Sequence, residues 1–179
     1  MRTINSETSS LLVIDFQSRL MPAIDEGTRA VANARILLDA AALLNVPVLF
    51  TEQNAKGLGA TVPELIEERP GSDIAHKMTF DACRTPGFAE KLSRLPDLVV
   101  AGCEAHVCVL QTVLGLLDMG RRVYVVRDAL GARRPESKET AIARMRSHGA
   151  EIVTTEMVIF EWLGTAEHPL FRKAVALIK

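Results

Sequence analysis

Short runs of consecutive apolar residues alternate along this chain with longer stretches in which apolar positions recur every three to four residues. Ser10–Phe16 (SLLVIDF), VPVLF from Val46, DLVVA from Asp97 and RVYVV from Arg122 are of the first kind. Leu, Val, Ile and Phe on successive positions predict strands buried on both faces. SDIAHKM, ending at Met78, reads as a weaker strand, and EIVTT from Glu151 as a sixth. Helical spacing runs from Thr28 to Leu44, and further helices are expected around Gly87–Arg94, over His106–Met119 with Gly120 as its stop, and from Pro135 to Gly149. AKGLGATVPELIEER reads as a loop and a brief helix, and two short helical stretches finish the chain.

Strands apolar on both faces, alternating with helices, predict an α/β fold: a three-layer α/β/α, Rossmann-like, doubly wound and mainly parallel six-stranded sheet. No repeat, linker or low-complexity tract interrupts residues 1–179, so one domain is expected. A chain of 179 residues that is 48% hydrophobic and 24% charged has enough apolar side chain for a substantial core. The formal net charge of -1, with no Lys/Arg block, provides no field for nucleic acid or acidic lipid. No segment approaches the length of a membrane span, and MRTINSETSS lacks the basic-then-apolar pattern of a signal, so a cytoplasmic protein is expected. The three cysteines, Cys83, Cys103 and Cys108, form neither a disulfide framework nor paired metal knuckles.

Doubly wound sheets bind ligands beyond the carboxyl ends of their strands. Few ionisable or nucleophilic residues fall there. Asp15 ends the first strand, Lys77 the third, Cys108 lies in the opening turn of the helix after DLVVA, and Asp128 follows RVYVV. A helix's first turn lowers the pKa of a thiol, because unpaired N–H groups point at it. A carboxylate such as Asp15 can take the thiol proton and return it to a leaving amine. Lys77 would hold that carboxylate ionised and stabilise the thiolate. N–H groups of the turn after Gly102, with that of Cys108, are the expected oxyanion donors.

Taken singly, Asp15 could cap a turn, Lys77 could be solvated and Cys108 could be core; the convergence of the three points to catalysis. Cys83 and Cys103 read as inert thiols, Asp128 as a loop cap, and Arg133 and Arg134 as solvated side chains, with contact to an anionic substrate or a neighbouring subunit as the alternative. Phe16, Gln17, Phe80, His106 and Trp162 are further candidates for a substrate pocket. Two readings of other classes compete with an enzyme: a small-molecule binding protein without turnover, and a redox protein pairing Cys103 with Cys108.

Five ordered segments carry a resemblance: LLVIDFQSRLMPAI, QNAKGLGATVPEL, HKMTFDAC, AGCEAHVCVLQTVLGLLDMG and RDALGARRPESKETAIARMRSHGAEIVTTEMVIFEWL, spanning residue 11 to about 163. Together they resemble the isochorismatase-like cysteine hydrolases, in the branch of YcaC-related amidohydrolases. The resemblance implies that family's hydrolase fold, a catalytic triad on Asp15, Lys77 and Cys108, and a cis peptide in the turn before the nucleophile, at Glu104 to Ala105, shaping the oxyanion hole with Cys108. It also implies a homo-oligomer, for which MVIFEWLG would suit as interface, and a small-molecule substrate. Related nicotinamidases carry an Asp-x-His metal motif after the second strand, whereas Thr51, Glu52 and Gln53 stand here, so no metal and no other cofactor is expected. Isochorismatases that cleave a vinyl ether lack the nucleophilic cysteine. The implied activity is therefore metal-independent hydrolysis of an amide or carbamoyl C–N bond through a thioester.

Overall fold

The computed structural model describes residues 3–179. Six strands, β1 (Ser9–Ile14), β2 (Val48–Gln53), β3 (Asp73–Lys77), β4 (Asp97–Gly102), β5 (Arg122–Leu130) and β6 (Glu151–Val153), form one sheet in the order β3-β2-β1-β4-β5-β6. Every neighbouring pair is parallel. Between and after the strands lie α1 (Gly27–Leu44), the short α2 (Ala55–Leu58), α3 (Pro63–Ile66) and α4 (Phe88–Lys91), then α5 (Leu110–Asp118), α6 (Pro135–Ser147), α7 (Thr155–Leu163) and α8 (Phe171–Ala176). This is the expected doubly wound α/β sheet, and its strand order reverses direction between β1 and β4, which opens a crevice at their carboxyl ends.

Alternation along the strands feeds two cores. Leu11, Val13, Val99 and Tyr124 pack under α1 and α7, while Leu12, Ile14, Val100 and Val125 pack under α5 and α6. Each fully buried Leu, Val or Ile contributes roughly 1.5–3 kcal/mol of transfer free energy, which explains why the apolar runs dominate the topology. Alanines at 30, 34 and 41 on α1 are buried and let that helix lie close to the sheet. Among the described residues, no helix is long and apolar enough to cross a membrane.

Three local departures from the sequence reading matter for the site. β1 ends at Ile14 rather than Phe16, because Asp15 turns the chain out of the strand with a left-handed φ of 52°. β5 runs on to Leu130, and its register slips against β4: Val100 pairs with Val125 but Gly102 with Leu130. That irregularity carries Gly131 to the end of β4, where its N–H donates to Gly102 O at 3.1 Å. The helix expected from His106 begins instead as a π turn over Ala105–Val109 before α5 takes over. Such a wide turn is a recurrent feature of functional sites.

Candidate active site

The register of β1, β2 and β3 brings their last residues into one buried cluster. Ile14 pairs with Thr51, and Gln53 pairs with Lys77, so the residues at and just past these pairs share one end of the sheet. Asp15 is fully buried. Its Oδ1 accepts from Thr51 Oγ1 at 2.6 Å, and its Oδ2 accepts from Lys77 Nζ at 2.7 Å. Asp15 N–H donates to Thr51 O at 3.1 Å, which helps hold the left-handed backbone in place. Lys77 also donates to Gln53 Oε1 at 2.9 Å and to Thr79 O at 3.4 Å, so each of its three protons has an acceptor. A buried ion pair with its remaining positions satisfied is tolerable; an unpaired charge there would not be.

Cys108 reaches this cluster from the other side of the crevice. The turn that presents it leaves β4 through Gly102, where a Cβ would stand 2.6 Å from both Cβ and O of Ile14. Only glycine permits that approach. Cys108 is 6% exposed, and its Sγ lies 4.0 Å from Gln53 Oε1, its hydrogen-bond acceptor at rest. Burial pushes the thiol up to about 12, the Asp15 carboxylate adds to the rise, and the Lys77 ammonium opposes it only in part. The lowered pKa expected from a helix start is thus reversed. Within the turn, the N–H groups of Val107 and Val109 donate to Glu104 O and that of Ala105 to Gly131 O.

The same bonds revise the expected oxyanion hole. Ala105 N–H, committed to Gly131 O at 2.8 Å, is not available as a donor. Among the described residues, the N–H groups of Glu104 and His106 donate to no protein acceptor, and that of Cys108 donates to none outside its own turn. The cis peptide lies between Cys103 and Glu104, one residue earlier than expected. Cys103 still follows the sheet, its N–H donating to Ile14 O at 2.9 Å, so the turn begins only after it.

The other candidates divide. Gln17 is buried and clasps the backbone of Gln53, donating from Nε2 to Gln53 O at 3.0 Å and accepting from Gln53 N–H at 2.8 Å; it positions the site rather than lining a pocket. Phe16, 1% exposed, turns into the core under α1, on the face of the sheet opposite Cys108. Trp162 is also no pocket wall: α7 starts beside Asp128 near the carboxyl end of β5 and runs back, so that Trp162 O meets Ser6 Oγ before the start of β1. Phe80 is half-exposed beside the site, its carbonyl accepting from Thr112 Oγ1 of α5 at 3.4 Å. Glu104 is buried in an ion pair with Arg133, and His106 faces a separate cleft with Arg133, Arg134 and Ser137. Asp128 caps α7, accepting from Thr155 N–H at 2.9 Å. Cys103 and Cys108 pack into cores on opposite faces of the sheet, which removes the redox pairing, and burial raises the pKa of Cys103 as well.

The isochorismatase domain family matches residues 9–157. The chain belongs to this family. Isochorismatase domain-containing protein 2 of Xenopus laevis is 38% identical over 180 residues, covering 98% of this chain and 85% of that protein. Among solved structures, MAR1 ribonuclease from Caenorhabditis elegans superposes with a TM-score of 0.94 at 37% identity, covering 98% of this chain and 92% of its own. The YcaC gene product of Escherichia coli, an octameric hydrolase of unknown specificity, superposes with a TM-score of 0.89 at 25% identity, covering 99% and 88%.

Within this isochorismatase-family site, the residue that sequence reasoning missed is Gln53. It ends β2 just as Lys77 ends β3, but the search at strand ends was restricted to ionisable and nucleophilic side chains, and an amide is neither. The three residues that end β2 are engaged within the protein: Thr51 bonds Asp15, Glu52 Oε1 accepts from Thr61 N–H at 2.7 Å, and Gln53 bonds Lys77. Among the described residues, no group of three or more His, Cys, Asp or Glu is arranged to hold a metal ion.

Proposed function

We propose that this protein is a metal-independent cysteine hydrolase that cleaves an amide or carbamoyl C–N bond of a small molecule through a thioester. The observation that carries the reading is the buried Asp15–Lys77 pair, 2.7 Å apart, linked through Gln53 Oε1 to the Cys108 thiol. A thiol pushed up to about 12 is protonated at rest, so attack requires the proton to leave as the S–C bond forms. Asp15, whose oxygens accept from Thr51 Oγ1 and Lys77 Nζ, takes it. The carbonyl oxygen becomes an oxyanion, for which the N–H groups of Glu104, His106 and Cys108 are the candidate donors. As the C–N bond breaks, Asp15 returns the proton to the departing nitrogen. Water then attacks the thioester, giving up a proton to Asp15, and the carboxylate product leaves as the thiol is restored.

Thr51, Glu52 and Gln53 support the metal-independent part of this reading, because each is engaged in holding the triad or its loop. A homo-oligomer belongs to the same proposal. The E. coli YcaC relative is an octamer, and here Met157 and Phe160 of α7 are 45% and 42% exposed while Val158 and Ile159 pack inward. The test is ammonia release from a panel of small primary amides and carbamoyl compounds, with intact-mass detection of an acyl adduct on Cys108. Activity that survives Cys108→Ser, or RNA cleaved while every amide is left intact, would overturn the reading.

A further inference from the structure

β3 ends at Lys77, and residues 78–85 then cross to α5 as a strap. Its first two carbonyls hold side chains of the site: Met78 O accepts from Gln53 Nε2 at 2.9 Å, and Thr79 O accepts from Lys77 Nζ at 3.4 Å. Thr79 Oγ1 donates to Asp81 O at 2.7 Å and accepts from Thr85 Oγ1 at 2.7 Å, which ties the two ends of the strap together.

The far side of the strap rests on α5, the helix that continues the turn carrying Cys108. Thr112, fully buried one helical turn beyond Cys108, accepts from Ala82 N–H at 3.0 Å and donates to Phe80 O at 3.4 Å. A threonine inside a helix commonly gives its proton to the carbonyl one turn back; here it goes to the strap. Further along the same helix, Gly115 makes room for Asp81, since a Cβ there would stand 2.7 Å from Asp81 Oδ1. Asp81 is not free to swing aside, because Oδ1 accepts from Cys83 N–H at 2.9 Å and Oδ2 lies 3.3 Å from Arg84 Nε. Glycine is a poor helix former, so this close approach accounts for its place inside α5. Cys83 Sγ completes the contact, 3.8 Å from Thr112 O.

The strap is therefore bonded on one side to Gln53 and Lys77 and on the other to the helix of the thiol. We propose that Thr112 is a positioning residue, whose hydroxyl locks the strap to α5 and so sets where Gln53 and Lys77 stand relative to Cys108. The proposal rests on the hydrolase reading above and adds to it a residue that touches none of the reacting atoms.

Two thiols report on it separately under iodoacetamide labelling with peptide-resolved mass spectrometry. The rate at Cys83 shows whether the strap is docked, and the pH at which the Cys108 rate levels off shows the state of the site. Thr112→Val keeps the side chain's shape but leaves the buried Ala82 N–H without its acceptor. Gly115→Ala disturbs the same strap through Asp81 and, alanine being the better helix former, does not weaken α5. In both variants Cys83 should label about tenfold faster at about pH 8. The Cys108 plateau should fall by about one pH unit, because the Gln53 oxygen is no longer held towards the sulfur and water reaches it. Thr112→Ser retains the hydroxyl and should match the unaltered protein at both thiols. Unchanged Cys83 labelling in Thr112→Val and Gly115→Ala overturns the lock. Faster Cys83 labelling with the Cys108 plateau unmoved or raised, including a Cys108 rate multiplied equally at every pH, makes the strap a cover only and overturns the positioning role. Failure of the hydrolase reading looks different: no amide is hydrolysed, while the labelling pattern of the three variants stands as expected.

Discussion

Gln53 and Lys77 are joined side chain to side chain at 2.9 Å, and the same Gln53 oxygen faces Cys108 Sγ at 4.0 Å. The amide cannot turn over freely, because its Nε2 donates to Met78 O at 2.9 Å. The negative end of a carbonyl dipole is therefore held towards the sulfur, which favours the thiol over the thiolate. Gln53→Met should shift the pH midpoint of Cys108 alkylation downwards, and Gln53→Glu upwards, each by about one unit or about 1.4 kcal/mol. Turnover should fall in both, since Lys77 loses an acceptor in Gln53→Met, and in Gln53→Glu the donation to Met78 O is lost and a second carboxylate competes with Asp15 for Lys77. Midpoints that stay together in all three proteins would remove Gln53 from the site.

The resting thiol gives a second expectation, measured by iodoacetamide labelling with peptide-resolved mass spectrometry. With the thiol at about 12, the labelling rate of Cys108 should rise about tenfold per pH unit from pH 8 to about 11. Asp15→Asn removes a carboxylate that raises the pKa and should lower the midpoint; Lys77→Met should raise it. A plateau reached below the ordinary thiol value of about 8.5 would contradict the geometry.

The Asp15–Lys77 pair is 0% and 1% exposed at its side chains. Removing one partner of such a pair leaves a buried charge uncompensated, so Lys77→Met should cost about 3–5 kcal/mol in urea unfolding at pH 7. Lys77→Met combined with Asp15→Asn should regain a large share of that loss. If the double variant is the sum of the singles, the two charges are not coupled.

Gly102→Ala places a Cβ against the backbone of Ile14 at 2.6 Å, where no rotamer change relieves the clash. Stability should fall by about 1–3 kcal/mol, as in other overpacked sites. Because Cys103 N–H and Gly131 N–H both bond across this point, the turn should shift and Cys108 labelling should change with it. Unchanged stability and labelling would show that the approach is looser than described.

Stability should decline in alkali. Burial raises the Cys103 thiol, so above the unfolded pKa of about 8.5 the unfolded chain releases a proton that the folded chain keeps, and unfolding is favoured as pH rises. The contribution is present below that value and is lost at about 1.4 kcal/mol per pH unit above it. In Cys103→Ala the slope of unfolding free energy against pH between 9 and 11 should be shallower by that amount. Parallel slopes would place the thiol in contact with water.

Much of this architecture is legible one segment at a time. The apolar runs of SLLVIDF, VPVLF, DLVVA and RVYVV give rise to β1, β2, β4 and β5 because consecutive branched and aromatic side chains can be buried together only on both faces of a central strand. Knowing where the strands end was enough to single out Asp15, Lys77 and Cys108. The rule that selected them was blind to Gln53 and to the clasp that Gln17 puts on it, since an amide's importance lies in what its oxygen faces. Phe16 and Trp162 were misjudged for a related reason: an aromatic residue in an apolar segment does not declare which face of the sheet, or which end, it will occupy.

The amino-acid order alone determined the fold class, the strands and the chemical types gathered at their carboxyl ends, because these follow from local periodicity and from burial of apolar side chains. Tertiary structure alone decided the state of the thiol and the availability of each N–H donor. Burial, the distance from a carboxylate to a sulfur and the competition of Gly131 O for Ala105 N–H are all set by contacts between residues far apart in the chain. The slip of β5 against β4, which brings Gly131 to that turn, arises from the pairing of two strands and is written in neither one.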